Sequence, residues 1–129
     1  MLVAIALGGA LGTPARYEVS QLIHVAKDSF PWATFVINLS GAFGLGLFLT
    51  LVERFPPTRY LRAFFAIGFL GSFTTFSTMA VDTVVLVKDH QVVLGIGYLC
   101  VSVAAGLASC YLGIVLARVS PFGAETAPR

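Results

Sequence analysis

The sequence predicts an all-α integral membrane protein of four transmembrane helices with a broken third helix, and three observations predict it. Of the 129 residues, 57% are hydrophobic and 11% charged, with a mean hydropathy of +0.90, whereas a soluble domain carries about 25% charged residues. Four segments reach the roughly 20 mostly apolar residues that a helix needs to cross hydrocarbon. Inside the third, the run Gly68-Phe69-Leu70-Gly71-Ser72-Phe73-Thr74-Thr75-Phe76-Ser77-Thr78-Met79 packs two glycines and five hydroxyl residues where lipid would favour Leu and Val. A helix that breaks there must hand its freed backbone groups to protein, water or ions, because hydrocarbon offers no partner.

The first predicted span covers residues 2–23, with Pro14 placed to kink it and Arg16 and Glu18 near its far end. No Lys or Arg precedes its apolar run, so it reads as a retained membrane helix and not as a secretory leader. The second span, 29–52, carries no charge. The third, 63–87, is uncharged between Arg62 and Asp82, and the fourth, 91–117, is the longest uncharged run. Connections are short, and one of them holds Pro56-Pro57. The four spans form one membrane domain, 1–119, and the tail 120–129, with Pro121, Gly123 and Pro128, reads as disordered.

Four spans put both termini on one side, together with Arg54, Arg59, Arg62, Arg118 and Arg129, against Lys27 and Lys88 on the other. With Arg129 far from any span, that bias is small, and a chain so weakly biased can insert either way round. The net charge of +2 without a basic cluster gives no reason to expect nucleic acid as a partner. A short chain with almost no loops cannot enclose a large cavity alone, which points to a homo-oligomer in membrane lipid. Cys100 and Cys110, ten positions apart, lie on different faces of one helix and suggest packing rather than a disulfide.

Helices associate in lipid through close backbone approach at small residues. Gly8 and Gly12 form a GxxxG step, Asn38, Ala42 and Gly46 a stripe in the second span, and Ser102, Gly106 and Cys110 one in the fourth. Asn38 stands out as the only amide deep in a span. It can serve as interhelical glue or line a pathway, and Thr34 lies one turn before it on the same face. Arg16 either snorkels to the interface or faces a water-filled vestibule that attracts anions. Tyr98, Ser102 and Ser109 give the fourth span a row of hydroxyl donors without a carboxylate, which suits an anion. If the third helix breaks near residues 71–75, the second half-helix begins with free N–H groups favourable to an anion. The first half then ends in free carbonyls favourable to a cation. Enzyme chemistry lacks its inventory: no paired carboxylates at depth, no His in a span and no Ser-His or Cys-His pair on a shared face.

These residues fall into four motifs: Gly8 to Tyr17; Phe30-Pro31-Trp32-Ala33-Thr34 leading to Asn38-Leu39-Ser40-Gly41; Gly68 to Thr78; and Tyr98 with Ser102. In this order and spacing they resemble a bacterial fluoride channel of the CrcB/Fluc family over nearly the whole chain before the tail. The resemblance implies a dual-topology homodimer of antiparallel subunits in the bacterial inner or plasma membrane. It implies passive export of fluoride and a structural sodium ion at the dimer centre, held by backbone carbonyls of Gly71 and Thr74. It carries the fluoride pathway to Asn38, Phe76, Ser77, Thr78, Tyr98 and Ser102, with Thr34 beside Asn38 and Arg16 at the first-span motif. Met79 departs, standing where such channels have a second phenylalanine. The competing expectation, a small dual-topology multidrug or cation exporter, requires an acidic residue deep in the first span, and Glu18 lies near that span's end.

Overall fold

The computed structural model describes residues 1–54 and 58–119, so the predicted disorder of the tail and the Pro56-Pro57 connection lie outside the described residues. The elements among the described residues are all helices. Helix α1 spans Leu2–Leu22 and α2 spans Trp32–Arg54. The third column is composite: α3 (Arg59–Arg62), a π-helical stretch Ala63–Leu70, and one short turn α4 (Gly71–Phe73), then the break, then α5 (Phe76–Lys88). Helix α6 spans Val92–Val119.

Most predicted boundaries hold within two residues, and two shifts have simple causes. The second helix starts at Trp32 instead of residue 29 because Pro31, lacking an N–H and with φ fixed, takes the position just before the first turn. The third column starts at Arg59, a turn earlier than predicted, because a helix end carrying Arg59 and Arg62 is compatible with solvent and the stop was placed by charge alone. Pro14 does not interrupt α1, which is continuous through it. The segments Trp32–Glu53, Arg59–Lys88 and Val92–Val119 are long and apolar enough to cross a membrane. Helix α1 is comparable in length but carries Thr13, Pro14, Arg16 and Glu18 in its second half.

Small residues set the packing. Gly8 and Gly68 oppose each other: a Cβ at Gly8 would collide with the Phe64 carbonyl, and one at Gly68 with the Ile5 carbonyl. Helix α1 therefore lies flush along the π-helical stretch and runs parallel to it. In the same way Gly46 rests on the Cys110 carbonyl and Gly113 on the Phe43 carbonyl, which brings α2 and α6 together in parallel. A further tie is the hydroxyl of Ser109, which donates to Leu39 O at 2.8 Å. Helix α5 runs antiparallel to α6, with Gly95 against Thr83 and Leu86. The four columns thus alternate in direction.

The inside of this bundle is small. Its buried hydrophobic residues are Ile37, Ala63, Met79, Leu86, Tyr98 and Ala117, while large apolar side chains such as Leu2, Ile67, Val93 and Leu107 point outward. That inversion is what a lipid-facing surface requires, since contact with acyl chains costs an apolar side chain nothing. Phe30, Trp32, Phe35 and Tyr98 cluster at one end, with the Phe30 ring meeting Tyr98 edge-on at 5.2 Å. Such a cluster suits a membrane interface.

Candidate functional site

The third column breaks at Thr74 and Thr75, whose backbones are extended (ψ 155° and 109°). Gly71 is still helical, so the break is confined to the last two residues of the predicted window. Asn38 on α2 repairs it: its Nδ2 donates to Thr75 O at 3.0 Å and its Oδ1 accepts from Thr75 N at 2.8 Å. Both backbone polar groups of Thr75 are thereby satisfied by one amide, which has the donor and acceptor geometry of a peptide group. The Thr75 hydroxyl then caps α5, accepting from Thr78 N at 3.1 Å and donating to Thr78 Oγ1 at 2.9 Å. The Ser77 hydroxyl is 3.3 Å from the same Thr75 oxygen. The 13-residue α5 thus begins at the break, with the partial positive charge of its N-terminus at the edge of the groove and Phe76, Ser77 and Thr78 exposed.

Several carbonyls lose their helical partners at the break, Gly71 O and Thr74 O among them. The N–H that would serve Gly71 O belongs to Thr75 and goes to Asn38, and the N–H that would serve Thr74 O belongs to Thr78 and goes to the Thr75 hydroxyl. Thr74 itself closes the first half-helix, with both N and Oγ1 donating to Leu70 O at 3.0 Å.

A groove of about 400 Å³ runs along this break, walled by α2, α6 and the third column. Asn38, Gly71, Thr74, Phe76, Met79 and Ser102 all line it together with Thr75, so six site residues read from sequence share one surface. Phe76 projects from it, 73% exposed, whereas Met79 is 5% exposed and packed into the wall. The Ser102 hydroxyl is buried and has no hydrogen-bond partner within 3.5 Å among the described residues. Gly106, on the groove floor, has open space where a Cβ would stand.

Arg16, Thr34, Thr75 and Thr78 lie together on the other side of the break, in a pocket of about 250 Å³ that Thr13, Tyr17, Ser20 and Ile37 complete. Arg16 is the one cation among its lining residues, and hydroxyls make up most of its polar surface. Tyr98, 1% exposed, opens instead to a third pocket beside Phe30, His90 and Gln91.

Sequence reading missed Asp82. The fourth-span hydroxyl row was read as free of carboxylates, yet Thr34 Oγ1 donates to Asp82 Oδ2 at 2.7 Å and Tyr98 OH lies 3.5 Å from the same oxygen. The signal was present, because Asp82 stands six residues inside the end of α5 at Lys88. It was read as a boundary charge, yet it lies inside the apolar segment Arg59–Lys88 and holds hydroxyls from two other helices.

A family model described as "CrcB-like protein, Camphor Resistance (CrcB)" matches residues 3–114. The chain is similar to proteins named fluoride-specific ion channel FluC in several bacteria. It is 46% identical over 121 residues, 93% of this chain, to one from Streptomyces avermitilis, of whose length it spans 59%. To one from Mycolicibacterium paratuberculosis it is 44% identical, covering 91% of this chain and 89% of the relative, and to one from Hahella chejuensis 41% identical, covering 92% and 94%. The match runs through the helix break, the groove and all three apolar helices of a multi-pass membrane protein, and the chain belongs to the CrcB family.

Proposed function

We propose that the protein is a fluoride-selective channel, not an enzyme, that lets fluoride leave the cytoplasm passively across the bacterial inner membrane. The observation that carries this reading is the buried, unpartnered Ser102 hydroxyl in a groove that also holds the N-terminus of α5. Fluoride is small and strongly hydrated, so a pore must replace its water with close donors. Ser102 has a free proton to offer. Phe76 can present its partially positive ring edge, and Ser77 and Thr78 stand on the first turn of α5. Asn38 keeps one amide N–H beyond the one given to Thr75. Arg16 would draw anions into its pocket beside Thr34. The names carried by the relatives support the same substrate and give none to a multidrug exporter.

The pore is completed by a second copy of the chain. The groove is open along one side and Phe76 is exposed at its edge, so a single chain leaves the anion path without its far wall. An antiparallel partner would supply that wall, and the small asymmetry of basic residues permits both orientations. The freed carbonyls of Gly71 and Thr74 fit a sodium ion, since hard cations take oxygen ligands. Two chains would contribute four such oxygens, and the bound ion would hold the two breaks together. With α1 as a further crossing, each subunit has four transmembrane helices.

Purified protein in liposomes, followed with a fluoride electrode, tests this. Fluoride efflux should proceed without ATP or a proton gradient, with no matching chloride efflux. Phe76→Ile removes the ring edge from the path and should cut fluoride efflux by about tenfold or more, the change that about 1.4 kcal/mol of lost stabilisation produces. Wild-type liposomes that retain fluoride, or that release chloride equally, would refute the proposal.

A further inference from the structure

We infer that the pocket at the start of α6 is a seat for a phospholipid whose headgroup carries a primary ammonium. The pocket measures about 610 Å³, and its lining changes character along the helix axis. His90 and Gln91 stand at its polar end, in the turn that joins α5 to α6. Val93, Gly97 and Val101 follow at intervals of four on one face of α6, and Phe30 and Tyr98 complete the wall. The Gln91 side-chain amide donates to Asp28 O at 2.9 Å, which pins the loop carrying Phe30 to the same turn. Val93 is 88% exposed and Gly97 has open space where a Cβ would stand, so the row forms a notch between two valines. From Val93 to Val101 the helix rises about 12 Å, long enough to seat the upper part of an acyl chain.

Two observations select the occupant. Gly97 and Gly106 are nine positions apart, about two and a half helical turns, so they face opposite sides of α6. A second copy seated on the Gly106 groove therefore leaves the Gly97 notch to lipid, where its exposed valines cost nothing. The charges at the polar end are also balanced in sign. Lys88, Asp89 and His90 are all exposed, and the first turn of α6 adds the partial positive charge of a helix N-terminus. The loop tied on through Gln91 brings exposed Lys27 and Asp28, again one of each sign. A phosphate is drawn to the helix end, the imidazole and Lys88, and a primary ammonium to Asp89. A purely anionic headgroup leaves the carboxylate without a partner, and a choline has no N–H to give it.

Trp32, the chain's single tryptophan, reports on this pocket because its ring lies 4.6 Å from that of Phe30. The protein is reconstituted in phosphatidylcholine containing a minor fraction of lipid brominated near the ester end of its chains. Quenching of Trp32 is then compared for brominated phosphatidylethanolamine, phosphatidylcholine and phosphatidylglycerol. Trp32 is itself 53% exposed, so random contact gives all three a common baseline. Brominated phosphatidylethanolamine should quench about threefold more than either of the others, the scale of one exposed ion pair. In Gly97→Leu the side chain fills the notch and the excess should vanish, and Asp89→Asn should bring phosphatidylethanolamine down to the level of phosphatidylcholine. Equal quenching by all three, a preference for phosphatidylglycerol, or an excess that survives Gly97→Leu overturns the inference. Quenching by none of them overturns it too, since a second copy would then cover this face. The readout needs only the protein in a bilayer and no fluoride, so its failure leaves the channel reading standing, and failed fluoride efflux leaves the lipid seat standing.

Discussion

Asn38 shows how one side chain can hold a broken helix together and still line a groove. Its amide takes both the N–H and the C=O of Thr75. An isosteric Asn38→Leu would leave both groups orphaned where no water competes for them, at a cost of about 2–4 kcal/mol. The expected outcome is a clear loss of thermal stability in detergent as well as a loss of flux, so flux alone would misread this residue as a simple pore donor. Met79 gives the opposite lesson. The family resemblance marks it as a departure, standing where such channels have a second phenylalanine. The side chain is 5% exposed, packed into the groove wall. A ring there overfills the wall by about 1–3 kcal/mol unless it swings into the groove. We expect Met79→Phe to lower the melting temperature and change fluoride flux together; altered flux at unchanged stability would mean that the ring had found the groove.

At the scale of elements, the legible features were those written as composition: the spans, the break and the small-residue stripes. The run of hydroxyls at 72–78 located the break to within a few residues, because a helix rich in Gly, Ser and Thr offers its backbone local alternatives. What escaped was chemistry shared between helices. Asp82 reads as a terminal charge until Thr34 and Tyr98, respectively 48 and 16 positions away, are seen to meet it. The π-helical stretch Ala63–Leu70 was equally hidden, since its residues, AFFAIGFL, carry no breaker except Gly68. Its seat on α1 explains why Gly68 is needed. Gly68→Val would push branched methyls into the Ile5 carbonyl and the Gly8 backbone, and should cost about 1–3 kcal/mol through overpacking. Thermal unfolding of the detergent-solubilised protein should show that loss, while Gly97→Val, at a glycine with open space around it, should show much less.

At the scale of the whole molecule, the sequence pointed to an oligomer by size, and the structure adds where a partner would sit. The groove is floored by Gly106 and edged by Phe76, and both face away from the chain's own interior. A large side chain at Gly106 meets nothing within a single subunit, so Gly106→Trp should preserve helix content and leave the α2–α6 pairing intact. If a second copy fills the groove, the same indole occupies the space that the partner needs. Light scattering in detergent should then give twice the 13.7 kDa chain mass for the natural protein and the single-chain mass for Gly106→Trp. The variant should also lose fluoride efflux, because the far wall of the path and half of the carbonyl ligands would be gone. A variant that remains dimeric with full flux would place the partner on another face, and Phe76 would then have to be reread as a lipid-facing ring.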